Sequence, residues 1–271
     1  MAASFNSMSE SIVGLMQQVT EKQRLDKEIE IAREVQAKLF PQKLPSLRRV
    51  QLAAACLPAR QVSGDYYDFI PSGPECVDVV IGDISGKGIS AALLMASLQS
   101  TFRTIISYQA MDTATEGKVA QSVVEINRQL YQQTSPDKFA TLVLGRLNAH
   151  DLTLTYCNAG HNPPLLISGD GSIRHLSEGG MVAGLFEDPE YEEETLQLRA
   201  KDMVVFYTDG IVEAENPAGE QFGEDRLAEL LTINSFLTAD DLQALILDQL
   251  SCWVAGGEQL DDMTVVIVKI D

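Results

Sequence analysis

The feature that most constrains the fold is residues 79–96, where an apolar run reaches Asp83, turns through Gly86 and Gly88, and enters an apolar segment with helical character. An aspartate at the tip of a buried strand has a backbone fixed by the sheet behind it, so its carboxylate projects into the adjacent cleft. Because glycine has no Cβ, such a turn can approach a ligand closely. An aspartate before a glycine-rich turn is usually only turn chemistry, however, so this stretch needs support from elsewhere in the chain.

Three further acidic sites abut apolar or β-branched runs and provide that support. The first contains Asp65 and Asp68, the second Asp209, and the third the pair Asp261 and Asp262. Carboxylates gathered from distant strand ends suit hard divalent cations, which prefer oxygen ligands. The sequence therefore predicts a metal centre whose ligands lie far apart along the chain.

The composition limits the class of function. A net charge of −19 argues against a nucleic-acid-binding protein, including a two-metal nuclease. The four cysteines are far apart and lack the spacing of a metal site, so we interpret them as reduced thiols. No apolar run approaches the roughly 20 residues needed to span a bilayer, and no signal peptide is evident. We therefore expect a cytoplasmic protein without a membrane span.

Residues 9–40 predict one N-terminal helix with an apolar stripe that nothing within the segment can cover. Pro41 ends it, because proline cannot continue a helix and biases the preceding residue to extended backbone. We place a domain boundary here, with a helical linker over residues 1–45 and a globular domain over residues 46–271. The stripe either packs on that domain or pairs with a second copy as a short coiled coil. We expect pairing for the first half and packing for residues 35–39.

The strand and helix signals indicate an α+β fold. Apolar runs over residues 139–147 and 152–156 flank a short polar turn and predict a hairpin. Helical periodicity occurs in two pairs of segments instead of after every strand. The predicted helices span residues 89–107, 113–133, 225–231 and 239–254. We therefore predict two antiparallel sheets packed face to face, with helices outside and the carboxylates at one end of the sandwich.

Five motifs follow one another along the chain, and as a set they resemble a known family. They are Ser-Gly-Asp-Tyr-Tyr-Asp at 63–68, Gly-Asp-Ile-Ser-Gly-Lys-Gly at 82–88, Asn-Ala-Gly-His-Asn-Pro-Pro at 158–164, Tyr-Thr-Asp-Gly at 207–210 and Asp-Asp-Met-Thr at 261–264. The set is similar to the SpoIIE-like PPM phosphatases, and in particular to their RsbU-type stress-response branch. The resemblance covers about residues 32–271, and five motifs in order are far more specific than any one alone.

The resemblance implies an αββα sandwich of two antiparallel sheets flanked by helices, with a centre for two Mn²⁺ or Mg²⁺ ions. By position, Asp83 would bridge both metals and the Ile84 carbonyl would bind one of them. Asp209 and Asp261 would complete the second metal site. Asp65 would reach the metal-bound waters, so it joins the other three aspartates as a candidate catalytic residue and metal ligand.

Several neighbouring residues admit two interpretations. Asp262 is either a further metal ligand or a support for the ligand beside it, and Asp68 is a weaker candidate for contact with metal-bound water. His161 is either a general acid or, as we favour, a loop residue hydrogen-bonded to backbone. Lys87 either holds phosphate or faces solvent at a helix start. Ser85 stands where the larger eukaryotic-type phosphatases carry a histidine proposed as general acid, so the proton donor is left open.

The implied function is metal-dependent protein serine/threonine phosphatase activity on a bacterial regulatory protein, by direct attack of metal-bound water. The family suggests an anti-anti-sigma protein with a STAS domain as substrate. Positive charge at the site is essential, because a phosphate monoester dianion resists attack by another anion. The alternative is a regulatory binding module of the same fold with little turnover, which the presence of all four key carboxylates disfavours. The expected partners are the phosphorylated STAS-type protein, a second copy bound through the N-terminal helix, and an upstream sensor domain or protein.

Overall fold

The computed structural model describes the backbone of residues 2–111 and 118–271, which form two β-sheets between two layers of helices. The helices are α1 (Ala2–Ala37), α2 (Ile89–Met111), α3 (Val119–Gln133), α4 (Asp209–Val212), α5 (Glu224–Ile233) and α6 (Ala239–Val254). The strands are β1 (Val50–Leu57), β2 (Tyr66–Gly73), β3 (Cys76–Ile84), β4 (Ala140–Asn148), β5 (Thr153–Ala159), β6 (Leu165–Ile167), β7 (Ile173–His175), β8 (Gly179–Gly180), β9 (Glu194–Gln197), β10 (Met203–Tyr207) and β11 (Met263–Ile270). The prediction of an α+β sandwich is confirmed.

The strands form two sheets, which we call sheet A and sheet B. Sheet A has the order β1-β11-β10-β6-β7, and sheet B has the order β2-β3-β4-β5-β8, with β9 also paired to β5. All pairs are antiparallel except the short contact between β5 and β8. In sheet A the first strand pairs with the last along its whole length, from Val50 opposite Ile270 to Leu57 opposite Met263. This pairing holds the two ends of the globular domain together.

Three apolar clusters hold the layers together. One lies between the two sheets, one joins sheet B to α2 and α3, and one joins sheet A to α5 and α6. Strand β10 shows how alternation produces this arrangement, because successive side chains of a strand point to opposite faces. Val204 and Phe206 face the other sheet, whereas Met203, Val205 and Tyr207 face the helices. All five are buried, so β10 presents no polar face to solvent.

The N-terminal helix differs in part from the prediction. It ends at Ala37, before Pro41, as the proline predicted. Val35 was expected to pack on the domain, but its side chain is 56% exposed, so that expectation is wrong. Gln36 is buried instead, and Leu39 packs against the cluster between sheet B and its helices. The helix predicted over residues 113–133 would begin at residue 113, which lies outside the described residues.

Helix α2 is long and apolar enough to cross a membrane by length and composition. The expectation that no apolar run approaches this length is therefore wrong for residues 89–108. Its side chains Met95, Leu98, Phe102 and Ile106 are buried against sheet B and α3. This stripe recurs every three or four residues, which is the pattern of a helix that covers one face of a sheet. The packing therefore accounts for this one apolar stripe of α2.

Candidate metal centre

The strand pairing brings the predicted acidic sites to one edge of the sandwich. In sheet B, Tyr66 lies opposite Gly82, so the residues before β2 and at the end of β3 are neighbours. In sheet A, Tyr207 lies opposite Val265, so the end of β10 is next to the start of β11. The four acidic motifs therefore meet although they span some two hundred positions in sequence.

Asp65 links the two sheets at this edge. Its side chain is buried, and Oδ2 accepts hydrogen bonds from Thr208 Oγ1 at 2.7 Å and Thr264 Oγ1 at 2.6 Å. Burial, and then the neighbouring Asp83 carboxylate, raises the pKa of Asp65 well above its ordinary value of 3.8. The two threonine hydroxyls favour the ionised form, because they donate to the carboxylate. They also fix the orientation of the side chain.

Asp83 and Asp209 lie in a field of like charge. Burial, followed by the carboxylates of Asp209 and Asp261, raises the pKa of Asp83 to about 7. Burial and then Asp261 likewise raise the pKa of Asp209. Like charges destabilise each other's ionised form when they are close and poorly solvated. The three carboxylates are therefore near enough to one another to affect their ionisation.

Two predicted ligands point towards the same position beside Gly64. A Cβ on residue 64 would lie 3.4 Å from both Asp83 Oδ1 and the Ile84 carbonyl oxygen. The backbone at Gly210 leaves even less room for a side chain, because a Cβ there would lie 2.0 Å from the Asp262 carbonyl oxygen. Glycine at these positions allows the loops that carry the acidic residues to come together.

A cation already contacts one of the predicted ligands. Lys87 Nζ donates to Asp261 Oδ2 at 2.7 Å and to the Leu260 carbonyl at 3.0 Å. The hydrogen bond to Asp261 raises the pKa of Lys87, so the ammonium is the stable form. Lys87 thus pairs with a candidate metal ligand, which neither of its two sequence interpretations anticipated. A positive charge beside the Asp261 carboxylate is therefore favourable.

Asp262 organises the backbone before Asp65. Its Oδ1 accepts from the Ala59 amide at 2.7 Å, and its Oδ2 accepts from the Gly64 amide at 2.7 Å and from Ser63 Oγ at 2.9 Å. Both oxygens are therefore engaged by the protein. This geometry favours the supporting role over direct metal ligation, and such partners orient the ligands themselves.

Asp68 is not part of the site. It lies on the opposite face of sheet B. Its carboxylate accepts hydrogen bonds from Arg103 Nε at 2.8 Å, from Arg103 Nη2 at 3.0 Å and from the Tyr66 hydroxyl at 2.7 Å. The suggestion that Asp68 contacts metal-bound water is therefore wrong. The physical reason is alternation: Asp65 and Asp68 are an odd number of residues apart, so they point to opposite faces of an extended chain.

His161 is a buried loop residue. Its Nδ1 is 2.8 Å from Thr141 Oγ1, and its backbone is held by the Asn158 side chain through the His161 amide at 2.8 Å and carbonyl at 3.0 Å. Burial lowers the pKa of His161 to about 4, although the nearby Tyr207 carbonyl opposes this. The imidazole is therefore neutral at pH 7. This arrangement favours the structural interpretation over a general acid.

Sequence reasoning missed several residues that shape the centre. Thr208 and Thr264 hold Asp65, and Lys138 Nζ donates to the Ser85 carbonyl at 3.2 Å beside the glycine turn. The two threonines could have been noticed as polar residues within otherwise apolar strand ends next to an aspartate. Lys138 offered no such signal, because it lies in a polar segment between α3 and β4.

The donor set suits Mg²⁺ or Mn²⁺. Carboxylate and carbonyl oxygens are the ligands that these hard ions prefer. Within residues 2–111 and 118–271, no three acidic, histidine or cysteine groups already stand in a complete coordination arrangement. Mutual repulsion among carboxylates opposes such closeness until a cation compensates their charge. The donor types thus suit a hard divalent cation.

Comparison with known proteins places this chain in a family. The family "Stage II sporulation protein E (SpoIIE)" matches residues 73–271. Protein IcfG of Synechocystis sp. is 30% identical over 261 residues, covering 89% of this chain and 41% of IcfG. The phosphoserine phosphatase RsbU of Bacillus subtilis is 33% identical over 228 residues, covering 83% of this chain and 60% of RsbU. The chain therefore spans about four to six tenths of these relatives' lengths.

The fold is shared with a solved phosphatase domain. The SiaA-PP2C domain of Pseudomonas aeruginosa superposes with a TM-score of 0.81 over 93% of this chain and 99% of that domain, at 16% identity. At that identity the likeness establishes the fold alone, while the family match covers most of the globular domain. Because this family match covers more than half of the chain, the chain belongs to the SpoIIE family.

Proposed function

We propose that this chain hydrolyses phosphoserine or phosphothreonine on a bacterial regulatory protein with the help of two Mn²⁺ or Mg²⁺ ions. The observation that carries this proposal is the meeting of the acidic motifs at one edge of the sandwich, where Asp65 from one side accepts hydrogen bonds from Thr208 and Thr264 beside Asp209 and Asp262. Asp83, Asp209 and Asp261 are close together, and they do not each have a cationic side chain as a partner. Their mutual repulsion destabilises the fold, so we expect a functional reason for the arrangement. Bound divalent cations supply that reason.

Each residue of the proposed centre has its own role. Asp83, Asp209, Asp261 and the Ile84 carbonyl would hold the ions. When bound, two such ions offset the negative charge of the phosphoryl oxygens and lower the pKa of a water molecule. The Asp65 carboxylate, fixed by two threonine hydroxyls, would orient the attacking water. Lys87 would leave Asp261 when an ion binds there, which frees its ammonium for a phosphate oxygen.

The substrate is part of the proposal. RsbU, which is 33% identical to this chain, is a phosphoserine phosphatase. We propose an anti-anti-sigma protein of the STAS type as the phosphoprotein, within a partner-switching stress response. All four cysteines are free thiols, which is typical of a reducing compartment, so we propose that the reaction takes place in the cytoplasm.

A phosphatase assay with a matched pair of variants tests the activity. We expect Mn²⁺-dependent hydrolysis of para-nitrophenyl phosphate by the wild type and a loss of at least a hundredfold in Asp83→Asn. The control Asp188→Asn changes an exposed aspartate in the segment between β8 and β9 and is expected to keep full activity. A wild type that binds metal but turns over neither this substrate nor a STAS-type phosphoprotein would favour the alternative, a low-activity binding module of the same fold.

The N-terminal helix carries the proposed regulation. Along α1 the side chains of Leu15, Met16, Val19 and Leu25 are between 46% and 66% exposed. We propose that this stripe pairs with the same helix of a second copy, and that an upstream sensor domain or protein acts through it. Met16→Glu should lower the molar mass from a dimer to a monomer in light scattering and change the activity. A wild type that is monomeric at micromolar concentration would exclude the pairing.

A further inference from the structure

One side chain of α1 is buried against the backbone that leads into the metal centre. Gln36 is 6% exposed, whereas the other described side chains of α1 are exposed or half-buried. Its Nε2 donates to the Ser63 carbonyl at 2.7 Å, and its Oε1 accepts from the Ser63 amide at 2.8 Å. A carboxamide carries both a donor and an acceptor, so it can satisfy the two polar groups of one residue's backbone.

The residue that Gln36 holds is the first of the motif that contains Asp65. The Asp65 amide donates to Ser63 Oγ at 3.0 Å, and Ser63 Oγ donates to Asp262 Oδ2 at 2.9 Å. The Gly64 amide donates to the same Asp262 oxygen at 2.7 Å. Residues 63–65 are therefore fixed from two sides, by α1 on one and by the loop before β11 on the other.

The same short segment positions the predicted ligands. Gly64 is the residue whose Cα faces both Asp83 Oδ1 and the Ile84 carbonyl, and Asp65 is the carboxylate that links the two sheets. A shift of the Ser63 backbone would move both at once. The hydrogen bonds of Gln36 are short, and a displacement of α1 by roughly 1 Å away from Ser63 would take them beyond bonding distance.

We propose that Gln36 is a positioning residue of the metal centre, which holds the Ser63 backbone so that Asp65 and Gly64 stand correctly against Asp83 and Ile84. The inference rests on the proposed function, because it assumes that these residues surround bound ions. It goes further in assigning part of the metal affinity to a side chain outside the globular domain. It also makes that affinity depend on where α1 lies.

Three variants of the full chain test the assignment. Gln36→Leu removes both hydrogen bonds at similar volume. Gln36→Glu keeps an acceptor for the Ser63 amide and loses the donor. Gln42→Leu is the matched control, because Gln42 lies just beyond the end of α1 and its Nε2 donates to the nearby Ala37 and Phe40 carbonyls, each at 2.9 Å.

The decisive measurement is Mn²⁺ affinity by isothermal titration calorimetry, with melting temperature and para-nitrophenyl phosphate hydrolysis beside it. We expect Gln36→Leu to weaken Mn²⁺ binding about tenfold or more, as is typical when a partner that orients metal ligands is removed. Gln36→Glu should fall between it and the wild type, and Gln42→Leu should bind as the wild type does. The rate at saturating Mn²⁺ should fall in the same order.

Each other outcome decides against a part of the reasoning. A Gln36→Leu variant with a lower melting temperature but wild-type Mn²⁺ affinity would show that Gln36 only stabilises the fold and would overturn the proposal. If Gln36→Leu does not fold, wild-type affinity in Gln36→Glu overturns it equally. A wild type that binds Mn²⁺ without any turnover would refute the proposed function, while the affinity comparison would still test Gln36. A wild type that binds no Mn²⁺ overturns both.

Discussion

Removing the charge of Asp83 should stabilise the metal-free protein and abolish its response to metal. Burial and the carboxylates of Asp209 and Asp261 raise the pKa of Asp83 from 3.8 to about 7. Since each pH unit is worth about 1.4 kcal/mol, the ionised group costs the fold at most about 4 kcal/mol at neutral pH and above. Asparagine has a similar shape and no charge, so Asp83→Asn removes this cost.

The sign of the pH dependence follows from linkage. A carboxyl with a raised pKa binds its proton more tightly in the folded state, so its contribution to stability is complete below about pH 3.8 and is lost as the pH rises to about 7. Without metal, Asp83→Asn should therefore exceed the wild type by up to about 4 kcal/mol at pH 8 and by less than about 2 kcal/mol at pH 5.

The assay is unfolding in EDTA and in Mn²⁺ across pH 5 to 8, followed by circular dichroism or calorimetry. For a domain of this size about 1 kcal/mol corresponds to roughly 2–4 °C in melting temperature, so the difference at pH 8 should be close to 10 °C. Adding Mn²⁺ at a hundred times its dissociation constant should stabilise the wild type by about 2.7 kcal/mol and leave Asp83→Asn unchanged.

Two results would refute the reasoning. One is an Asp83→Asn variant that is less stable than the wild type at pH 8 in EDTA, since the carboxylates would then not be crowded. The other is a stability difference that does not grow between pH 5 and pH 8, since the charge of Asp83 would then not be its cause. The exposed variant Asp188→Asn should show neither effect.

Three further predictions concern residues around the centre. Gly210→Ala places a Cβ 2.0 Å from the Asp262 carbonyl oxygen and should lower both the melting temperature and the Mn²⁺ affinity. The control Gly14→Ala, whose Cβ would have nothing within 4 Å, should change neither. Wild-type Mn²⁺ affinity in Gly210→Ala would contradict this prediction. Because burial lowers the pKa of His161 to about 4, its imidazole nitrogens should not titrate between pH 5 and 8 by NMR, and a midpoint near 6.5 would disprove the burial. Asp68→Asn weakens the hydrogen bonds from the half-exposed Arg103 and should cost about 2 kcal/mol of unfolding free energy in a denaturant titration, with unchanged Mn²⁺ affinity. Reduced Mn²⁺ affinity in this variant would return Asp68 to the site.

Much of the local structure could be predicted from the sequence. The bounds of α6 agree with the helix predicted over residues 239–254, and those of β4 lie within one residue of the apolar run at 139–147, because the signals that start and end them are local. The turn after Asp83 and the start of α2 were equally clear, since glycines and an apolar periodic segment are signals that act over a few residues. The choice of the acidic motifs as a group also came from the sequence, because each motif follows or precedes a strand.

Tertiary structure decided which of the predicted side chains belong to the centre. Both faces of β2 are buried, one against the other sheet and one against α2, so its sequence lacks the alternation of apolar and polar residues that would reveal a face. The sequence could not therefore separate Asp65, which faces the centre, from Asp68, which pairs with Arg103.

The same limit applies to contacts between distant segments. Gln36 is one polar residue among many in α1, and it is distinguished only by the Ser63 backbone that the fold places against it. Asp261 and Asp262 are adjacent, yet one contacts Lys87 and the other holds residues 59–64. Residue types and their spacing determined that this chain has a carboxylate centre on a two-sheet sandwich. The partner of each carboxylate depends on which loops meet at the edge of the sandwich, and that is set by the packing of the two sheets.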